Sequence, residues 1–414
     1  SGWRSMYKNV YTVCLVLFLS SLPGITHTKA EEWPQFRGPN GQGHSSEQGL
    51  PQHWSETRNI AWKVPIPGRG WSSPVIQGEQ LWLTSSLNGG RSLRTICLNR
   101  DTGEVLKNIE VFQSQNPVSI HSKNSHASPT PVLEKDRVYV HYGSAGTACL
   151  STQGQILWNT QLQYDHGHGP GGSPILFRDL LIVNCDGTDV QFVVALDKQT
   201  GKVRWKQYRD GAMAFSTPLV IQVKGRKQVI CISGDRVVAY EPTSGQEIWW
   251  LRYNGFSNIP RPVFGLNLVF ISSGFDPPAT LFAVRPNGRG DVTDTHVAWR
   301  LKRSIPLNPS PLLIDELLYI VSDRGVVSCL NARTGSPYWR QRLSGNFSAS
   351  PVYADGRIYF LNEEGETTVI APGTSFKRLA TNSLEGATLA SLSVSDKAIF
   401  LRTDSHLYRI EKRD

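Results

Sequence analysis

The chain has 414 residues, of which 39% are hydrophobic, 10% aromatic and 19% charged: enough apolar material for a large core, and too little charge for a disordered chain. Its formal charge of +9 is scattered with no basic run, which argues against a nucleic-acid partner. Twelve Trp stand against two Met, and the Trp positions prove periodic.

The chain opens with Arg4 and Lys8, a largely apolar run from Val10 to Leu22, and Thr28-Lys29-Ala30, the order of a secretion signal ending in a small residue for cleavage. Residues 1–30 are therefore expected to be absent from the mature protein, whose charge falls by three bases, Arg4, Lys8 and Lys29, to +6. The apolar run is shorter than the roughly 20 residues of a membrane span, and no later stretch qualifies. A periplasmic or secreted monomer with no membrane span is expected. Five cysteines remain: Cys97, Cys149, Cys185, Cys231 and Cys329. None has CxxC spacing or a vicinal partner, and each sits in an apolar run, so they read as small buried hydrophobes.

Residues 31–58, rich in Gly, Pro and Gln, read as an irregular leader. Asn59 to Pro65 follows as a lone strand carrying Trp62. From there a small residue, a proline and an apolar residue recur: Ser73-Pro74-Val75, Thr130-Pro131-Val132, Ser173-Pro174-Ile175, Thr217-Pro218-Leu219, Ser310-Pro311-Leu312 and Ser350-Pro351-Val352. Arg261-Pro262-Val263 changes the first residue, and Ser391-Leu392-Ser393 lacks the proline. The first interval between these eight registers is 57 residues and the others are 40 to 49, the period of a four-stranded propeller blade.

Each register leads into a second strand, such as Arg137 to Val140 or Leu318 to Val321, rich in β-branched and aromatic residues. A third strand, a Thr-Gly or Ser-Gly turn and a fourth strand with Trp complete the unit. Ala195 to Trp205 is the clearest copy; Ala239 to Trp249 and Cys329 to Trp339 keep its spacing. Cys97 to Lys107 loses the Trp, Cys149 to Trp158 is one residue short, and Ala283 to Trp299 carries an insertion. Gly supplies the positive φ of the turn, and Trp is a plate that can stack on the neighbouring blade. The last unit, Ser391 to Ile410, ends after three strands, which would leave an unpaired edge at the seam. The lone strand at 59–65 is expected to supply the fourth. The predicted fold is all-β: an eight-bladed β-propeller of four-stranded antiparallel blades over residues 59–414, closed by an N-terminal strand.

In such a ring the loops entering the first strands gather around the central channel, where ligands bind. Two adjacent entry loops hold four of the ten histidines, His121 and His126, then His166 and His168. Imidazole ligates transition metals, so these four form a candidate metal or anion site, against the plainer reading of polar residues packed among glycines. Arg261 replaces a small residue at an inner strand. It points into the channel either to anchor a carboxylate or phosphate or to bridge carbonyls of neighbouring blades. Asn124, Asn258, Asn308, Trp71 and Phe215 occupy loop positions that could line a pocket, whereas Asp186, Asp189 and Asp276 fit turn capping.

The repeat, whole at 195–205, resembles the motif of the PQQ-like (pyrroloquinoline-quinone-type) propellers, and the resemblance spans residues 59 to 410. Trp33 to Pro39 and Gly255 to Pro262 are similar to stretches in exported PQQ-like proteins of planctomycete-type bacteria. The family implies two functions. BamB-like members hold no cofactor and scaffold outer-membrane barrel assembly, which implies a non-catalytic cell-envelope propeller engaging a protein or small polar ligand. Quinoprotein dehydrogenases hold PQQ with calcium in the channel, which implies an oxidoreductase. The lack of a vicinal Cys pair, of a haem-attachment motif and of a carboxylate cluster favours the first.

Overall fold

The structure, a computed structural model, describes Gly2 and residues 30–413. Apart from Gly2 and Ala30, the expected secretion signal lies outside the described residues. Eight antiparallel sheets follow one another along the chain, each winding outward from a short first strand. Blade 1 comprises Val75–Gln77, Gln80–Leu87, Ser92–Asn99 and Val105–Gln113. Blades 2 to 7 begin at Val132, Ile175, Leu219, Val263, Leu312 and Val352. Blade 8 joins Ser393–Ser395, Ala398–Arg402 and His406–Glu411 to the N-terminal strand Ile60–Pro65. That strand pairs antiparallel with the last one, Ile60 opposite Ile410 and Pro65 opposite His406, so the ring closes as expected.

One sheet departs from the four-stranded plan. The insertion between Ala283 and Trp299 adds a fifth strand, Gly290–Asp291, parallel to the outer strand Glu247–Arg252 of blade 4.

The repeat spacing has a direct structural cause. Ala195 faces Trp205 across the third and fourth strands, as Cys97 faces Lys107, Cys149 faces Trp158, Ala239 faces Trp249, Ala283 faces Trp299 and Cys329 faces Trp339. A small residue opposite leaves room for the indole to lean toward the next blade. Trp158 Nε1 donates to Lys198 O at 3.0 Å and Trp205 Nε1 to Pro242 O at 2.9 Å, both on the following blade's turn. Trp62, Trp299 and Trp339 do the same with Arg100, Ala332 and Gly373. Gly201, at φ +72°, lies flat under Trp158: a Cβ there would come within 2.5 Å of the ring.

The core is accordingly a series of clusters between neighbouring blades rather than one centre. Blades 1 and 2, 2 and 3, 3 and 4, 4 and 5, 5 and 6, and 6 and 7 each share one. The remaining interfaces, on either side of blade 8, fuse into a single cluster through the leader residues Trp33, Leu50 and Trp54. All five cysteines of the described residues are buried and unpaired within these clusters.

The leader does more than lie over the surface. Trp33 bridges Ile76 of blade 1, Pro34 O accepts from Leu133 N of blade 2, Gln42 Oε1 accepts from Phe264 N of blade 5, and Gly43 and Ser45 bond Tyr353 of blade 7. These partners sit on inner strands on opposite sides of the ring, so residues 33–45 cross the channel and stopper it.

Candidate functional site

The first residue of each register lines the channel, and its chemistry explains the repeat. Ser73 N donates to Thr130 Oγ1, Thr130 N to Ser173 Oγ, and Ser173 N to Thr217 Oγ1, at 2.9 to 3.0 Å. On the far side Arg261 N, Ser310 N and Ser350 N donate to the hydroxyls of Ser310, Ser350 and Ser391, again at 2.9 to 3.0 Å. Six of the eight blade junctions are thus tied by a hydroxyl, and the proline that follows at seven of the eight registers has no N–H to leave unpaired. Above this ring opens a cavity of about 420 Å³ lined by residues of all eight blades, with Phe36 of the leader contributing to its wall from the channel.

The four histidines expected around one metal fall into two pairs. His121 and His168 both line the cavity, their rings 5.5 Å apart and edge to face. His126 and His166 instead line a separate pocket of about 220 Å³ with Gly90, Leu93 and Tyr142, at the interface of blades 1 and 2. Each of these two rings is seated on a glycine of the preceding blade: a Cβ on Gly90 would meet the His126 ring at 2.7 Å, and one on Gly143 the His166 ring at 2.5 Å. They are packing elements, which is why two residues of the same loops face away from the mouth. Burial pushes His166 down to about 4, and its ring nitrogens have no partner among the described residues.

Trp71, Phe215, Asn124 and Asn308 line the cavity. Asn124 braces the loops, donating to His168 O at 2.9 Å and Pro170 O at 3.1 Å. Asn308 donates to Asp323, whose other oxygen accepts Leu307 N and Asn308 N. Asn258 lies fully buried behind the wall, donating to Ser272 O and to the Tyr253 hydroxyl. Arg261 takes the carbonyl-bridging role: its Nε donates to Pro218 O at 3.0 Å and Nη1 to Phe36 O at 2.7 Å, and only 2% of it is exposed. It pins the leader and does not reach the cavity. Asp186 forms a buried ion pair with Arg209, Asp189 caps Asp165 N and Val190 N at 2.8 Å, and Asp276 is exposed.

Several cavity residues escape sequence reasoning. The 57-residue first interval marks a long loop, 114–128, that leans over the mouth; Lys123 at its tip pairs with Glu363 of blade 7 at 2.7 Å. Glu363 also accepts from Ser348 Oγ. Phe256 and Phe275 form one aromatic rim, 43% and 40% exposed, joined by a hydrogen bond from Phe275 N to Phe256 O. Burial raises the Asp323 carboxyl above its ordinary value, although backbone and Asn308 donors oppose that shift.

This donor set does not suit a calcium-bound quinone. Calcium takes six to eight oxygen ligands, several of them carboxylate. Among the described residues Asp323 is the one carboxylate lining the cavity, and both its oxygens are already bonded. Nor do any three His, Cys, Asp or Glu side chains of the described residues converge to hold a metal ion.

A family model described as outer membrane protein assembly factor BamB matches residues 57–274 and 288–375. The chain belongs to that family. A BamB of Burkholderia pseudomallei (strain K96243) is 26% identical over 246 residues, covering 57% of this chain and 60% of the relative, so the chain spans less than two thirds of that relative's length. BamB from Moraxella catarrhalis shares the fold with a TM-score of 0.60 and 14% identity over 86% of this chain and 97% of that one. A europium-containing methanol dehydrogenase shares it with a TM-score of 0.68 and 10% identity over 91% and 90%. The propeller of BamB is therefore also that of a dehydrogenase, and the fold alone does not choose between binding and redox chemistry. Among the described residues no helix is long and apolar enough to cross a membrane.

Proposed function

We propose that this BamB-family chain is a non-catalytic binding propeller of the cell envelope, exported by its N-terminal signal, that engages a protein or small polar ligand on its loop face. The cavity at the mouth carries the reading. It combines exposed aromatic rings, Phe256 and Phe275, with polar groups held rigid by their own hydrogen bonds, as recognition sites do. Catalysis by nucleophile or acid–base pair needs a reactive group within reach of its partner and free to exchange a proton. Here Asp323 is locked by Asn308 and backbone amides, and Glu363 by Lys123 and Ser348.

The test is genetic. Deleting the gene in its own organism is expected to reduce assembled outer-membrane proteins, and wild-type protein to restore them, while Phe256→Glu with Phe275→Glu fails although it accumulates normally. Full restoration by that mouth variant, or normal outer-membrane composition without the gene, would overturn the proposal.

A further inference from the structure

The hydroxyl ring that ties the blades together leaves one half of its chemistry unused. Thr130, Ser173, Thr217, Ser310, Ser350 and Ser391 each accept an amide N–H from the blade before. A hydroxyl also carries one proton to donate. None of these six donates to another of the described residues, and all six line the cavity. Accepting a hydrogen bond polarises a hydroxyl and makes it the stronger donor. The channel axis is therefore encircled by strengthened O–H donors.

The rest of the cavity tilts the same way. His121 Nδ1 accepts from Lys123 N, which leaves the proton of the neutral ring on Nε2, another donor. Lys123 holds its ammonium over the mouth in an ion pair with Glu363, and the oxygens of Asp323 are already bonded, so both carboxylates are engaged. What complements a ring of donors flanked by engaged carboxylates is a group rich in acceptors, as an oxyanion is. The wall opposite Lys123 is apolar: Phe215, Ile259 and the exposed rings of Phe256 and Phe275.

We infer that the channel mouth binds an oxyanion, a carboxylate or phosphate seated in the hydroxyl ring, on a ligand whose aromatic body lies against Phe215, Phe256 and Phe275. The inference deepens the reading of the mouth as a binding site and rests on it.

Anilinonaphthalene sulfonate, an aromatic oxyanion, serves as a fluorescent probe of the full-length chain, with phenylacetate, phenyl phosphate, phenylethanol and phenylethylamine as competitors. Charge-assisted hydrogen bonds predict that one of the two oxyanions displaces the probe at a concentration about tenfold or more below the alcohol or the amine, and the stronger of the two identifies the head group. Ser310→Ala with Ser350→Ala is expected to weaken the oxyanion about tenfold and leave the alcohol unchanged, while the Thr pair at both positions retains it. Lys123→Met, outside the ring, should weaken the oxyanion alone and serves if the alanine pair does not fold. Equal displacement by acid and alcohol, or preference for the amine, would overturn the oxyanion while leaving a binding cavity. Failure of the probe and of all four compounds to bind would remove the cavity's role as well.

Discussion

His166 and His141 are imidazoles held where charging them is costly: burial pushes the first down to about 4 and the second to about 3. In the unfolded chain each returns to about 6.5, so protons favour unfolding. Stability is complete above about pH 6.5 and declines as the pH falls toward 4. His166 alone accounts for about 3 kcal/mol of that loss, since each tenfold difference in proton affinity between the folded and unfolded chain is worth about 1.4 kcal/mol. Thermal melting across pH 4 to 8 should show this slope, and His166→Gln should make it shallower; an unchanged slope would refute the assignment. The Arg209–Asp186 pair, with both side chains fully buried, supplies a second residue-scale test. Arg209→Met strands a buried carboxylate and is expected to cost about 3–5 kcal/mol in urea unfolding, whereas Arg209→Met with Asp186→Leu costs less.

At the scale of elements, the leader and the 114–128 loop carry the main consequences. Trp33 is completely buried between the leader and blade 1, and Trp33→Ala should lower stability by about 3–5 kcal/mol. The Lys123–Glu363 pair latches the long loop across the mouth while 37% of the lysine side chain stays exposed, so salt should weaken the latch. Stopped-flow mixing with the fluorescent probe should show entry quickening as salt rises, and Lys123→Met should abolish that dependence. Neither element announces its role in the sequence. The blades are legible because a hydroxyl, a proline and a facing Trp recur at most junctions where one blade bonds the next, and the closing strand because a three-stranded last unit demands it. Residues 33–45 carry no such period: Gly, Pro and Gln form irregular backbone whose partners lie on Ile76, Leu133, Phe264 and Tyr353, distant in the chain. Trp71, Phe215, Asn124 and Asn308 lie at the cavity because loop position dictates channel exposure. The four histidines divide into two pairs because glycine seats at Gly90 and Gly143 turn His126 and His166 aside, which depends on packing two blades together and leaves no mark on loop composition.

As a whole molecule, the chain is a ring whose ends are knitted into one region. The first strand completes the last blade, and Trp33, Leu50 and Trp54 of the leader merge the interfaces beside it into one cluster. A closed ring has no unpaired seam, and a stoppered channel turns a pore into a cavity open on one face. BamB and a methanol dehydrogenase share this fold, so side chains rather than architecture must choose the function. The most direct test is hydrogen exchange over residues 33–65. If the leader stoppers the channel and the first strand seals the ring, its bonded amides exchange as slowly as those of Ser393–Ser395 and His406–Glu411, through the same cooperative opening. Exchange within seconds across 33–65, with the other blades still protected, would mean an open ring and a cavity with no floor.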